Sequence, residues 1–293
     1  MKHAYLIIAH NNWWQLKELL KKLDYEANDI YLHIDKKSNG YNLEDFNNAV
    51  SKSNIYIYSE YKVYWGSYSM IEAEMFLLEK AFEKKYDYYH IISGVDIPLV
   101  NNDTIYKFFY ENAGLEFIEY DDEKLINDPE ISRRTRLYHF LQDYRRKYKN
   151  KFANAFFTFI ERCLLLLQIC FRVNRVKNLD WTIKYGSNWV SITNELTSVV
   201  LDNKDKIRKV FSYTNCADEL FVQTVAYNCG FKDKIYPSNM RFVDWKRGNN
   251  GNPYTFRLED YDMLKASGCL FARKFSEGVD KDIILRLIEN AAG

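Results

Sequence analysis

The sequence predicts an α/β fold with a central, mostly parallel sheet flanked by helices. Three observations predict it. The first hundred residues alternate short apolar runs with amphipathic segments, strand then helix. His10, Asp35 and Asp96 close three of the apolar runs or their exit loops, where ligands bind in such sheets. Of 293 residues, 47% are hydrophobic and only 4 are Pro and 11 Gly, which suits a sizeable core and argues against disordered linkers.

The elements follow in order. The stretch from Met1 to Asn12 turns polar too quickly for a signal peptide, so Tyr5–Ala9 reads as the first strand. Trp14–Leu23 has apolar residues at helical spacing, and Asp29–Ile34 is a second strand ending at Asp35. Leu43–Val50 reads as a helix and Ile55–Tyr58 as a third strand. Ser69–Phe82, rich in Glu, Ala, Met and Leu, is an amphipathic helix. Tyr86–Ile92 is a strand running into Ser93-Gly94-Val95-Asp96-Ile97-Pro98. Ile105–Asn112 looks helical and Leu115–Tyr120 extended. A basic stretch follows with Arg133, Arg134, Arg136, Arg145, Arg146 and Lys147.

Phe152–Val173 is apolar on most sides and close to membrane-spanning length. Asn154, Glu161, Arg162 and Gln168 interrupt it, and charge near a bilayer midpoint is costly, which argues against a span. A buried or partner-facing helix and an interfacial membrane helix both fit. Downstream, Trp189–Thr193 and Arg241–Trp245 read as strands, and Glu195–Asn203, Asp218–Cys229, Leu258–Ser267 and Lys281–Asn290 as helices. Gly248–Pro253 is turn-rich.

Several function classes drop out. A net charge of +1 gives no electrostatic argument for nucleic acid, although local basic clusters can hold a phosphate. The five cysteines, Cys163, Cys170, Cys216, Cys229 and Cys269, are widely spaced and form no CxxC pair, so reduced thiols are expected rather than a zinc site or disulfide framework. No P-loop, GxGxxG, HExxH or GxSxG occurs. The 17% aromatic share suits a sugar-lined cleft, or reflects composition bias in the source.

Acids and bases at element ends remain. Glu219 sits where a helix begins, and a dipole there favours an ionised carboxylate able to take a proton from a hydroxyl; a purely capping acid is the alternative. Arg273-Lys274, between Phe271 and Phe275, suits a diphosphate, or is a pair of solvated surface charges. Asp35 and Asp96 can bind sugar or ribose hydroxyls; Asp35 is otherwise a turn residue, and Asp96 a metal ligand, although no DxD surrounds it.

Five stretches in this order resemble the core-2/I-branching β-1,6-N-acetylglucosaminyltransferases and their relatives, the peptide O-xylosyltransferases. They are Tyr31-Leu32-His33-Ile34-Asp35-Lys36-Lys37-Ser38, Tyr64-Trp65-Gly66-Ser67-Tyr68-Ser69, Ile91 to Pro98, Gly186-Ser187-Asn188-Trp189-Val190, and the pair Ala217-Asp218-Glu219 with Phe271-Ala272-Arg273-Lys274-Phe275. Together they cover nearly the whole chain outside 121–180.

The resemblance implies a GT-A-like nucleotide-sugar transferase fold and metal-independent inverting transfer from a UDP-sugar, GlcNAc being the first donor to consider. It implies Glu219 as catalytic base; Ala9, His10, Asp35, Arg273 and Lys274 around the nucleotide and diphosphate; and Asp96, Trp65, Asn188, Trp189 and Asp218 around the donor and acceptor sugars. No metal or other cofactor is expected. The implied partners are a UDP-sugar and a glycan or lipid-linked oligosaccharide acceptor in surface polysaccharide synthesis, without nucleic acid.

One transferase domain, 1–293, is expected: a nucleotide-sugar-binding half at 1–120, a variable acceptor- or membrane-facing insertion at 121–180, and a catalytic and acceptor half at 181–293. The family's Gly-Ser-Asp-Trp appears here with Asn188, which hydrogen-bonds but carries no charge. The eukaryotic relatives carry a membrane anchor and disulfides; their lack here fits a bacterial-type cytoplasmic enzyme, peripheral on the inner membrane face through 152–173. The competing readings are a manganese-dependent transferase using Asp96 or Asp121-Asp122, and a catalytically silent glycan-binding or assembly protein.

Overall fold

The structure, a computed structural model, describes residues 1–144, 150–249 and 251–289. Arg145, Arg146 and Lys147 lie outside them, as do Asn250 of the 248–253 turn and Asn290 of the last predicted helix.

The first half alternates as predicted. Strand β1 (His3–Ala9) leads through α1 (Trp13–Leu23) to β2 (Asn28–Ile34), through α2 (Leu43–Asn47) to β3 (Asn54–Tyr58), and through α3 (Ser69–Phe82) to β4 (Tyr88–Ser93). These four strands are parallel in the order β3-β2-β1-β4. Beyond β4 lies β6 (Ser191–Thr193), antiparallel to it. All seven residues of β1 are buried, because the sheet is covered on both faces. Successive side chains point opposite ways. Ala4, Leu6 and Ile8 pack with Ile71, Met75 and Leu78 of α3, while Tyr5, Ile7 and Ala9 pack with Leu16, Leu19 and Leu20 of α1.

A second, smaller sheet has the order β5-β8-β7, from Ile97–Pro98 (β5), Arg241–Val243 (β7) and Phe271–Arg273 (β8). It has its own core, in which Ile97, Phe256, Ala272 and Phe275 meet Ile283, Ile284 and Leu287. The remaining helices are α4 (Asn102–Glu111), α5 (Asp122–Asn127), α6 (Pro129–Arg136), α7 (Lys151–Cys170), α8 (Asn194–Asp202), α9 (Lys204–Phe211), α10 (Phe221–Asn228), α11 (Tyr261–Ala266) and α12 (Lys281–Glu289).

Three expectations need correction, and one helix was not read from the sequence. Residues 115–120 form no strand; Glu116 bridges Ile235 and Phe117 bridges Ser191, so the segment is divided between two neighbours. The Glu116 carboxylate also accepts from Thr193 N (2.8 Å) and Thr193 Oγ1 (2.5 Å), at the end of the short β6. The helix predicted over 218–229 is broken: Ala217–Glu219 is a 3₁₀ turn, Leu220 leaves helical geometry at φ −130°, and α10 starts at Phe221. Residues 258–267 divide likewise into a 3₁₀ turn, Leu258–Asp260, and α11. Helix α9 was hidden by its charges, yet Ile207, Val210 and Phe211 give it one buried face.

Candidate active site

One end of the site is built where β1 and β2 finish. Asp35 N donates to Ala9 O (2.9 Å), locking the two strand ends together. The Asp35 carboxylate is 6% exposed; Oδ1 accepts from Lys37 N (3.0 Å) and Val63 N (3.3 Å), and Oδ2 lies 3.2 Å from Lys37 Nζ. Asp35 therefore organises its own turn and also fixes a cation there. Lys37 lies 4.1 Å from the centre of the Tyr64 ring. The pKa of His10 is lowered, first by the atoms packed around it, and also by Lys37 and Lys274 against the pull of Asp35. That influence brings Lys274, from the second sheet, to the end of the first.

Strand β8 carries Arg273 inward. Its pairing with β5 sets Ala272 opposite Ile97, and Phe275 N donates to Val95 O (3.1 Å). Arg273 Nε sits 3.6 Å from Asp96 Oδ1, and the guanidinium lies 4.4 Å from the centre of the Trp189 ring. Asp96 is 2% exposed, and its Oδ2 accepts from Ser93 N (2.7 Å). Burial raises the Asp96 pKa while Arg273, Ser93 and Arg241 hold it down. Burial lowers the Arg273 pKa, opposed by Asp96, Glu219 and Asp218. Lys274 is half-buried, and its ammonium has no ion-pair or hydrogen-bond partner among the described residues.

The opposite wall is the loop ending in Glu219. Gly186 N donates to Glu219 O (3.0 Å), and a Cβ on Gly186 would lie 1.7 Å from Glu119 O. The glycine of the Gly-Ser-Asn-Trp stretch thus lets two backbones touch. On the other side, Cys216 N donates to Gly66 O (2.9 Å). A Cβ on Gly66 would meet Asn215 Oδ1 at 2.7 Å, and Gly66 has a positive φ of 76°. That turn sets Trp65, 56% exposed, beside the loop.

Glu219 Oε2 accepts from Arg134 Nη1 at 3.1 Å, and Arg134 Nη2 reaches Glu130 at 3.1 Å. The Glu219 carboxyl is raised above the usual range by burial and then by Asp218, with Arg134 and Lys124 pulling down. Burial likewise raises Asp218, against Arg134 and Arg273, and Asp218 Oδ1 has no hydrogen-bond partner among the described residues. Glu74 of α3, 1% exposed, is held well above the glutamate range by burial and by Asp218, while Asn188 lowers it. The expectation that a helix dipole keeps Glu219 ionised is therefore corrected: its 3₁₀ turn is separate from α10, and burial beside Asp218 dominates.

The fold thus brings Arg273 against Asp96 and Trp189 and within electrostatic reach of Glu219 and Asp218, while Asp218 and Asn188 both act on Glu74, and Lys274 and Asp35 both act on His10, which follows Ala9. Sequence reading missed Arg134 as a partner of Glu219, because it sits among similar charges in 133–147. It also missed Glu74, although an acid on the buried stripe of an amphipathic helix, between Ile71 and Leu78, is a legible signal. Asp121 caps α5 by accepting from Lys124 N (2.9 Å), and Asp122 lies 2.6 Å from Lys184 Nζ. Among the described residues no three His, Cys, Asp or Glu side chains gather as a metal-ligand set.

Xylosyltransferase sqv-6 of Caenorhabditis briggsae is 26% identical over 303 residues, covering 92% of this chain and 34% of that protein. Human xylosyltransferase 2 is 21% identical over 308 residues, covering 96% and 32%. The chain therefore spans about a third of the length of the curated relatives it matches. Mouse xyloside xylosyltransferase 1 in its apo form superposes with a TM-score of 0.41 at 9% identity, covering 92% of this chain and 96% of that one. Core-mannan synthase A of Aspergillus fumigatus, in a Mn/GDP form, gives 0.40 at 11%, covering 80% and 72%. The family model for the Core-2/I-Branching enzyme matches residues 3–265, which hold the whole first sheet and Glu219 but stop before β8, Arg273 and Lys274, and the chain belongs to that family.

Proposed function

We propose that the protein is an inverting glycosyltransferase that moves a sugar from a UDP-sugar to a carbohydrate hydroxyl without a required metal. The observation that carries it is Arg273, 54 positions after Glu219, lying against Asp96 and Trp189 and feeling the charge of Glu219 and Asp218, with Lys274 beside it acting on His10.

The chemistry follows from the parts. The acceptor hydroxyl gives its proton to Glu219, and its oxygen bonds to the anomeric carbon. The bond from that carbon to the diphosphate breaks on the opposite face, and its electron pair leaves on UDP. A carboxyl with a raised pKa is a better-matched base near neutrality than an ordinary glutamate. Arg273 and Lys274 face the charge that grows on the diphosphate, as a metal would elsewhere. Asp96 holds Arg273 in place, and Trp189 backs it. Of the carboxylates that a manganese-dependent transferase would use, Asp96 faces Ser93 N and Arg273, Asp121 caps α5 and Asp122 pairs with Lys184.

GlcNAc and xylose are the donors to test first, from the family description and the relatives' names. The acceptor we assign is a glycan or lipid-linked oligosaccharide of a surface polysaccharide, met at the inner face of a membrane. The test is a UDP-sugar hydrolysis and binding panel in EDTA. Turnover of one UDP-sugar under chelation supports the reading, with Glu219→Gln lowering it by about a thousandfold. Turnover only after manganese is added overturns the role of Arg273 and Lys274. Glycan binding with no UDP release would identify a silent binding protein instead.

A further inference from the structure

Helix α7 is amphipathic in the wrong sense for water. Two of its polar residues, Glu161 and Gln168, face the protein. Gln168 Nε2 donates to Tyr138 O (2.9 Å), and its Oε1 accepts from Tyr138 N (2.7 Å). Glu161, 1% exposed, accepts from Leu141 N (3.1 Å) and lies 3.3 Å from His139 Nδ1. Its apolar residues face out. Phe152, Phe156, Phe159 and Leu166 are 86%, 58%, 66% and 61% exposed, and their spacing sets them on one face of the helix. Phe171, just past the C-terminal end, is 80% exposed. Two of the polar residues that interrupt the apolar run in sequence, Glu161 and Gln168, thus leave the outer face uninterrupted.

Charge selects the occupant. In sequence, residues 144–177 hold nine Lys and Arg against one acid, Glu161, in a chain whose net charge is +1; Arg145, Arg146, Lys147 and Lys149 lie outside the described residues. That acid points inward. Arg162, Arg172 and Lys177 are exposed around the apolar face. A second copy seated on this face would bring two such basic fields together. An anionic lipid surface instead matches both the apolar face and its basic surround. The helix is 20 residues long, about 30 Å. It is the one helix among the described residues long and apolar enough to cross a membrane. Its bonds to residues 138–141 keep it on the body of the protein, so it lies along a surface rather than through it.

We propose that helix Lys151–Cys170 is an in-plane anchor for anionic lipid, with Phe152, Phe156, Phe159 and Leu166 entering the headgroup boundary and Arg162, Arg172 and Lys177 meeting lipid phosphates. The proposal rests on the membrane-side part of the reading above and not on its chemistry, so each is tested separately.

The test is flotation of the purified full chain with phosphatidylcholine vesicles and with vesicles holding about 30% phosphatidylserine. The chain floats with the anionic vesicles and not with the neutral ones, and roughly 0.5 M salt releases it. The double variant Phe156→Glu/Phe159→Glu raises the lipid concentration for half-binding at least about tenfold. Its melting temperature and UDP-sugar hydrolysis stay at the wild-type level, because both side chains project into solvent. The proposal is overturned by a chain that floats with neither vesicle, or by a double variant that floats as well as wild type. It is also overturned by light scattering that shows a dimer, dissolved by the same variant, with no vesicle binding.

Discussion

At the residue scale, the site turns on one carboxylate and what it faces. Glu219 is pushed up by burial and Asp218, and pulled down by Arg134. The sign of that balance is testable. In the role of base proposed above, Glu219 must be unprotonated to act, so activity rises as pH climbs through its pKa. Arg134→Met removes a cation that lowers this pKa, and the acid limb must move to higher pH. We expect kcat/KM to fall about tenfold at pH 6 and less than threefold at pH 8.5, read from a full pH profile. Arg134→Lys keeps the charge and restores most of the loss at pH 6. An equal loss at both pH values, unrescued by lysine, would mean that Arg134 serves only to hold α6. The residue was legible only as one of many charges, since its role depends on a contact 85 positions away.

At the scale of elements, the helices and strands of the first hundred residues were legible because each has the period of its buried face. Ser69–Phe82 was read to the residue: Ile71, Leu78 and their neighbours are buried on one stripe. The second half was harder because its elements are short and take their shape from neighbours. Ala217–Glu219 needs Gly66 on one side and Gly186 on the other, and neither periodicity nor propensity reports such a contact. Leu115–Tyr120 has the alternation of a strand yet finds its partners on two different segments. Glu116 in that segment has its pKa raised to about 7, chiefly by burial, although Thr193 N and Oγ1 hold it down. A folded-state pKa above the unfolded value means stability fully present below about 4.5 and lost as pH rises through about 7. Glu116→Gln removes that loss. We expect the variant to gain roughly 1–3 kcal/mol on wild type at pH 8 relative to pH 5, measured by guanidinium unfolding at both. A gap between the two proteins that does not change with pH would show that Glu116 is already ionised in the fold.

At the scale of the whole molecule, the residues proposed to hold the nucleotide come from both sheets. His10 and Asp35 belong to the first; Arg273 and Lys274 follow from the second. The two are fastened behind the site: Gln15 Nε2 donates to Phe275 O (3.3 Å), Glu277 N to Gln15 Oε1 (3.1 Å), and Lys22 Nζ to Leu287 O (3.0 Å). A diphosphate held from both sides adds a bridge that only the folded chain can make. At a hundred times its dissociation constant, UDP then stabilises by about 2.7 kcal/mol, a rise of roughly 5 °C in melting temperature. That rise should persist in EDTA, since the cations are side chains. Lys274→Ala should lose at least half of it at the same UDP concentration, because its ammonium has no other described partner to satisfy. Glu219→Gln should keep nearly all of it while abolishing transfer, because the base meets the acceptor rather than the nucleotide. Equal loss of the UDP shift in both variants would merge the two roles into one and remove the separation of base from diphosphate cradle on which the inverting mechanism depends.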